Sequence, residues 1–236
     1  EYKITHPVED ITKLSPEERM KAEWNARAKM DTKFAIFSVD NTTEEDFWKT
    51  GIVDRDMILG NDGIKDRDMM FNGGKRDHMK CLEIGCAIGR ILVPMSKKFE
   101  EAIGVDVSNE MVNEGQKHVK DIKNCKIIQN SGSDLSMFSD NYFDFCYSYI
   151  VFQHITEKII VEKYITEVSR ILKKDCVFRL QVRGIVDDVP DEITTWNGVQ
   201  YSSQEMNQIV SKNGFEVVEE EGENKRAYWF TLKCIK

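Results

Sequence analysis

In the stretch CLEIGCAIGRIL, residues 81–92, an acid is followed by small residues at every second position: Glu83, Gly85, Ala87 and Gly89. Small side chains in alternation let a backbone turn come close to a ligand. A turn that leaves an apolar strand and enters a helix lies where doubly wound sheets bind their ligands. The next strand-like run, EAIGVDVS, ends in Asp106, 17 residues after Gly89. A carboxylate at that point accepts both hydroxyl hydrogens of a ribose, and it also serves as an N-cap for a helix beginning near Ser108. The dinucleotide fingerprint G-x-G-x-x-G requires a third glycine where this chain has Arg90, which is a misfit. Asp106 therefore points to a ribose without naming the cofactor.

These residues need a scaffold. From Lys80 onward the β-rich runs CLEI, EAIGVDV, CKIIQN, FDFCYSYIVF and CVFRLQV are separated by helical segments near 90–98, 108–120, 157–173 and 203–213. Strand and helix in alternation imply a parallel sheet covered on both faces. FEVVEEE and AYWFTLKCI, separated only by GENKR, suit an antiparallel hairpin closing the sheet. The expected fold is α/β, a Rossmann-like doubly wound sheet of seven strands, mostly parallel with an antiparallel C-terminal strand. Residues 1–75 form an N-terminal helical extension and 76–236 the ligand-binding domain. In the extension, Ser15, Pro16 and Glu18 make a capping box with proline at the first helical position. Thr43 and Asp46 repeat that grammar before Phe47, Trp48 and Ile52. The polar, Gly-punctuated segment 61–79 reads as a connection.

The composition limits the partners. The net charge is −8 and no window gathers the lysines and arginines needed to follow a phosphate backbone or an anionic membrane. Neither nucleic acid nor a membrane is an expected partner. The cysteines, Cys81, Cys86, Cys125, Cys146, Cys176 and Cys234, form no C-x-x-C pair and read as reduced thiols in apolar strands. The start, EYKITHPVEDITKL, lacks the basic and apolar regions of a signal peptide, so a cytoplasmic location is expected. The histidines, at 6, 78, 118 and 154, have no partners at zinc-ligand spacing, and DNTTEED and NDGIKDRD lack EF-hand spacing. No metal is expected.

Glu83-x-Gly85-x-Ala87-x-Gly89 resembles motif I of the class I S-adenosylmethionine-dependent methyltransferases, with Ala87 where that family usually has glycine. Asp106, the Asp134-Leu135 pair and the exit YIVFQHI follow in the family's order, and the likeness extends over most of residues 80–236. EWNARAKMD, EDFWKTG and TTWNGVQYSSQEM look like a small-molecule subgroup of methyltransferase type 11/12. The resemblance implies S-adenosyl-L-methionine as cofactor, S-adenosyl-L-homocysteine as product, and transfer of a methyl group to an O or N atom of a small-molecule acceptor by in-line displacement. By the same resemblance the methionine end lies over Glu83, Gly85, Cys86, Ala87 and Gly89, and the ribose binds Asp106. Val107 and Met111 flank the adenine, Ser133, Asp134 and Leu135 cover its edge, and Tyr149 adds to the cofactor wall.

His154 is the candidate general base, because neutral imidazole titrates near physiological pH, and Gln153 beside it would orient the acceptor. Trp24, Phe47 and Trp48 are candidates for a lid. Arg183, Trp196 and Arg226 would bind an anionic or aromatic acceptor. Each has a plainer alternative: Asp134 as a turn cap, His154 as a partner of backbone, Trp24 and Trp48 as helix-packing aromatics. Two other functions compete, a catalytically silent cofactor-binding partner subunit and an NAD(P)-dependent oxidoreductase. A homodimer is a further expectation.

Overall fold

The computed structural model describes residues 13–37, 42–60, 77–186 and 193–236; most of the connection expected at 61–79 lies outside them. The strands are β1 (Lys80–Ile84), β2 (Glu101–Asp106), β3 (Cys125–Gln129), β4 (Phe143–Ser148), β5 (Leu172–Gly184), β6 (Gln200–Tyr201), β7 (Phe215–Glu221) and β8 (Tyr228–Cys234). Their order in the sheet is β3-β2-β1-β4-β5-β8-β7, and the short β6 pairs with β5 off this path, one strand more than expected. The first five are parallel, while β8 runs antiparallel to both β5 and β7. The direction of winding reverses between β1 and β4. The connections after these two strands diverge and leave a crevice at their carboxyl ends.

The helices are α1 (Pro16–Phe37), α2 (Glu44–Leu59), α3 (Leu92–Ser96), α4 (Asn109–Val119), α5 (Lys158–Ile171) and α6 (Ser203–Lys212). Both caps expected in the extension form. The Ser15 amide donates to Glu18 at 2.9 Å while the Glu18 amide donates to the Ser15 hydroxyl at 3.2 Å, and the Asp46 amide donates to Thr43 Oγ1 at 3.1 Å. α1 is broken at Asp31 (φ −159°, ψ 104°), whose carboxylate accepts from the Phe34 amide and caps the second half. That break turns Ala35 and Ile36 toward the crevice.

Apolar residues fill both faces of the sheet, as a strand covered on two sides requires. In β1, Leu82 and Ile84 join the cluster under α5 and α6, and Cys81 joins the cluster under α2 and α3. All six cysteines are free thiols. Along β5, Phe178, Leu180 and Val182 alternate with Arg179, Gln181 and Arg183, and all six are buried. The three polar side chains share one face and bond to three different neighbours. Arg179 donates to the carbonyls of Met57 and Ile58 at the end of α2, Gln181 to Gln153, and Arg183 to Asn197. This polar stripe ties the rim of the crevice to the sheet.

β4 ends at Ser148, short of the run to Phe152 that its apolar sequence suggests. Ile150 has φ +54°, a left-handed conformation that a β-branched residue adopts only under constraint. The chain leaves the sheet there and residues Phe152–His154 make one 3₁₀ turn. β5 starts at Leu172, ahead of the expected Cys176, with a register shift against β4 between Phe143 and Phe145. Among the described residues no helix is long and apolar enough to cross a membrane.

Candidate active site

A cavity of about 970 Å³, counted with its open mouth, occupies the crevice. Its floor is the turn after β1, with Glu83, Gly85, Cys86 and Ala87; Asp106, Val107 and Met111 stand on one side, and Tyr149, Ile150, Val151 and His154 on the other. Met20, Trp24, Ala35 and Ile36 of α1 form the roof with Trp196.

The turn is held from β2. The amides of Gly85 and Cys86 both donate to the Val105 carbonyl, at 2.8 and 3.0 Å, and the Gly89 amide donates to the Cys86 carbonyl at 2.8 Å. Gly85 has φ +76°, and a Cβ there would collide with the Val151 side chain. Ala87 has φ +47°, so the alanine in the glycine position is strained. Its amide donates to Asp106 Oδ2 at 2.8 Å, while Asp106 Oδ1 accepts from the Ser108 amide at 2.8 Å. Asp106 thus braces the turn and the Ser108 N-cap of α4, and each of its oxygens keeps a further lone pair. Burial pushes its carboxyl up to about 6 against the pull of the Ser108, Ala87 and Val107 amides.

Glu83 is 4% exposed and accepts from the Tyr147 hydroxyl at 2.8 Å. Burial pushes it up to about 8, with the Tyr147 bond and the Arg90 charge working the other way. Arg90 is buried too. It donates to Thr50 at 2.9 Å and pairs with Asp54 at 2.5 Å, which fastens α2 to the turn.

His154 is buried, and both ring nitrogens are engaged. Nδ1 lies 3.1 Å from the Trp196 carbonyl, and Nε2 lies 3.1 Å from Gln153 Nε2. Burial depresses its pKa to about 4, and the positive charges of Arg27 and Arg183 act in the same direction. Trp24 meets the imidazole edge-on at 5.4 Å between centroids, and Trp196 lies at 5.7 Å. The Arg27 guanidinium stands over both indoles, 4.7 Å from Trp24 and 5.5 Å from Trp196, and bonds to Thr195. This is an aromatic box with a neutral histidine in its wall.

Several expected site residues stand elsewhere. Gly89 closes the turn from outside the cavity. Ser133 bonds to Glu17, the buried Leu135 donates its amide to Glu167, and the exposed Asp134 caps its own turn by accepting from the amide and hydroxyl of Ser136. None of the four lines the cavity. Trp48 donates to Glu44 and packs on Phe47 and His118, so both aromatics of α2 are packing residues here. Arg183 is buried beneath the 194–198 turn, and Arg226 is exposed on the β7–β8 connection. Gln153 touches His154 without lining the cavity.

Met20, Ile36, Tyr164 and Arg90 line the cavity and were not singled out as ligand contacts. Met20 and Ile36 read as ordinary helix apolars. Gln181 was missed as well, although a polar-apolar alternation in a strand covered on both faces was a visible signal.

The residues present suit an adenosyl cofactor. The turn has a cradle that a Cβ would fill at Gly85, an acid with free lone pairs faces the side wall, and a buried acid lies under the turn to meet a cationic group. Residues 82–180 match the family model described as a methyltransferase domain. Among curated proteins, an uncharacterized methyltransferase of Bacillus subtilis is 30% identical over 142 residues, 59% of this chain and 54% of that protein. A demethylmenaquinone methyltransferase of Staphylococcus aureus is 27% identical over 44% of this chain and 43% of its own. The chain thus spans about half the length of the curated relatives it matches. The crystal structure of magnesium protoporphyrin IX methyltransferase from Synechocystis with bound SAM aligns over 93% of this chain and 97% of that one, with a TM-score of 0.66 and 13% identity, a likeness of fold. Motif order and sheet order agree with the family match, which is to a methyltransferase domain and spans residues 82–180.

Proposed function

We propose that the protein transfers a methyl group from S-adenosylmethionine to an O or N atom of a small molecule. The observation that carries this reading is one continuous cavity, walled at one end by the glycine turn and Asp106 and at the other by Trp24, His154 and Trp196. S-adenosylmethionine, when bound, supplies an electrophilic methyl on a sulfonium. Asp106 would hold the ribose hydroxyls, Val107 and Met111 the adenine faces, and Glu83 would offset positive charge at the methionine end. Trp24 and Trp196 would seat the acceptor against His154 and exclude water, so that alignment does most of the catalytic work. A curated relative and a structural neighbour whose printed names give small-molecule substrates, demethylmenaquinone and magnesium protoporphyrin IX, favour a small-molecule acceptor.

The silent-partner reading predicts a filled acceptor space; here His154 and Trp24 of α1 meet edge-on at 5.4 Å, and both still line the cavity together with Trp196. The oxidoreductase reading needs a small third residue in the fingerprint, and Arg90 is committed to Asp54. The test is thermal unfolding with S-adenosylmethionine, S-adenosylhomocysteine, NAD and NADP added separately, since a ligand that binds only the folded state raises its stability. The adenosyl pair should each raise Tm and the nicotinamides should not; a shift with NAD alone overturns the reading.

A further inference from the structure

Four hydrogen bonds run in a line from the strained end of β4 to the roof of the cavity. The Ile150 amide lies 3.1 Å from Gln181 Oε1, Gln181 Nε2 lies 2.6 Å from Gln153 Oε1, Gln153 Nε2 lies 3.1 Å from His154 Nε2, and His154 Nδ1 lies 3.1 Å from the Trp196 carbonyl. Side-chain amides and imidazoles can each be placed in two orientations, but both ends of this line are main chain and have only one. The Ile150 N–H can only donate, so Gln181 must present its oxygen there and its NH₂ to Gln153. Gln153 must then offer its oxygen to Gln181 and its NH₂ to His154. Nε2 of His154 is therefore an acceptor, and the proton sits on Nδ1. From the other end, the Trp196 carbonyl can only accept, which also requires the proton on Nδ1. The two ends agree.

We propose that Gln181 is a positioning residue for methyl transfer: acting through Gln153, it fixes His154 as the Nδ1–H tautomer and holds the ring as a neutral wall of the acceptor box. This rests on the methyltransferase reading for its purpose, though not for its geometry. Gln181 is 2% exposed and does not line the cavity, so its amide serves no ligand directly. The left-handed Ile150 explains itself in the same way, since that backbone twist aims an amide at Gln181 where the strand would otherwise have continued. His154 cannot take a proton from an acceptor at Nε2 unless Gln153 lets go, which makes Gln181 the residue that sets whether His154 is a base at all.

The charges facing the ring are Arg27 from α1 and Arg183 from β5, with Glu23 beside Arg27. Neither arginine changes in the test. Nitrogen-15 NMR of histidine-labelled protein, with His154 identified by its loss in His154→Gln, reads the tautomer directly. The wild type should show a protonated Nδ1 and a bare Nε2 at pH 7, opposite to the tautomer favoured by free histidine. Gln181→Glu offers only acceptors, so Gln153 must turn over and Nε2 must become a donor while Nδ1 still faces the carbonyl; the midpoint of His154 should move up. Gln181→Met keeps the volume and breaks the line, so that the Trp196 carbonyl alone holds the Nδ1 proton, Gln153 is free to turn over, and the Nε2–H population of His154 should rise above that of the wild type. A wild-type Nε2–H tautomer overturns the proposal without any variant, and so does an unaltered His154 in folded Gln181→Met. Failure of the wild type to bind S-adenosylhomocysteine, with the Nδ1–H tautomer present, would instead overturn the methyltransferase reading and leave the line of bonds standing.

Discussion

Ala87 carries a cost that its neighbours do not. An L-residue in the left-handed region is disfavoured by about 1–2 kcal/mol, partly offset by the chain entropy that glycine loses on folding. Ala87→Gly should therefore stabilise the protein by about 1 kcal/mol, read as a Tm rise of about 2–4 °C in a chain of this length. A fall in Tm would mean that the methyl group makes contacts worth more than the strain. Asp106→Asn keeps the shape of the side chain and removes its charge. Loss of a charge-assisted bond costs about 1.5–3 kcal/mol, so calorimetry should find S-adenosylhomocysteine bound roughly 10- to 100-fold more weakly. Because the carboxylate also braces Ala87 and Ser108, some loss of stability must accompany it.

Glu83 gives a pH dependence whose sign follows from burial. Its carboxyl is raised from the ordinary 4.5 to about 8, so the native state holds a proton that the unfolded chain releases. The corresponding stability is full below the unfolded value and is lost as pH rises through the folded one. Asp106, raised to about 6, has largely completed its change below pH 7, and His154, lowered to about 4, is neutral there. Between pH 7 and 8 the decline should thus belong mainly to Glu83, and Glu83→Gln should flatten it in thermal unfolding. The same residue should make S-adenosylmethionine bind more tightly from pH 6.5 to 8, as the acid ionises beside a cation.

At the scale of elements, α2 is attached to the turn by Arg90 and to the sheet by Arg179, whose two bonds also satisfy carbonyls at the helix end. Asp54→Ala would leave the Arg90 cation buried without its counter-charge, a change that typically costs about 3–5 kcal/mol. Chemical denaturation should show that loss, and Arg90→Met combined with Asp54→Ala should restore part of it. If the single variant is neutral, α2 is held by apolar contact alone. α1 is placed by Asn25, which accepts from the Ser108 hydroxyl and donates to Asn109 at the start of α4. EWNAR therefore combines a cavity residue, a helix clamp and a cation over two indoles.

For the whole molecule, the extension and the sheet share one interior. Met20 belongs to the main core and to the cavity roof together. Removing residues 1–40 should abolish S-adenosylhomocysteine binding and lower Tm as well, which differential scanning with and without ligand would separate from simple loss of a lid. An unchanged Tm would make the extension a detachable cover.

The chain by itself determined the strand-helix alternation, the closing hairpin, both N-caps of the extension, and the meeting of Glu83, Gly85, Ala87 and Asp106. These follow from local rules of periodicity, capping and turn chemistry that act over a few residues. It also located His154 at a strand exit. Only the tertiary structure decided what lies opposite. Trp24 and Trp196 reach His154 from 130 and 42 residues away, Asp134 caps its own turn outside the cavity, and Trp48 is used up in packing. Whether a histidine is a base depends on burial and on which partners hold each nitrogen. Those depend on contacts such as Gln181 to Gln153, between a strand and a turn 28 residues away, where spacing along the chain carries no information.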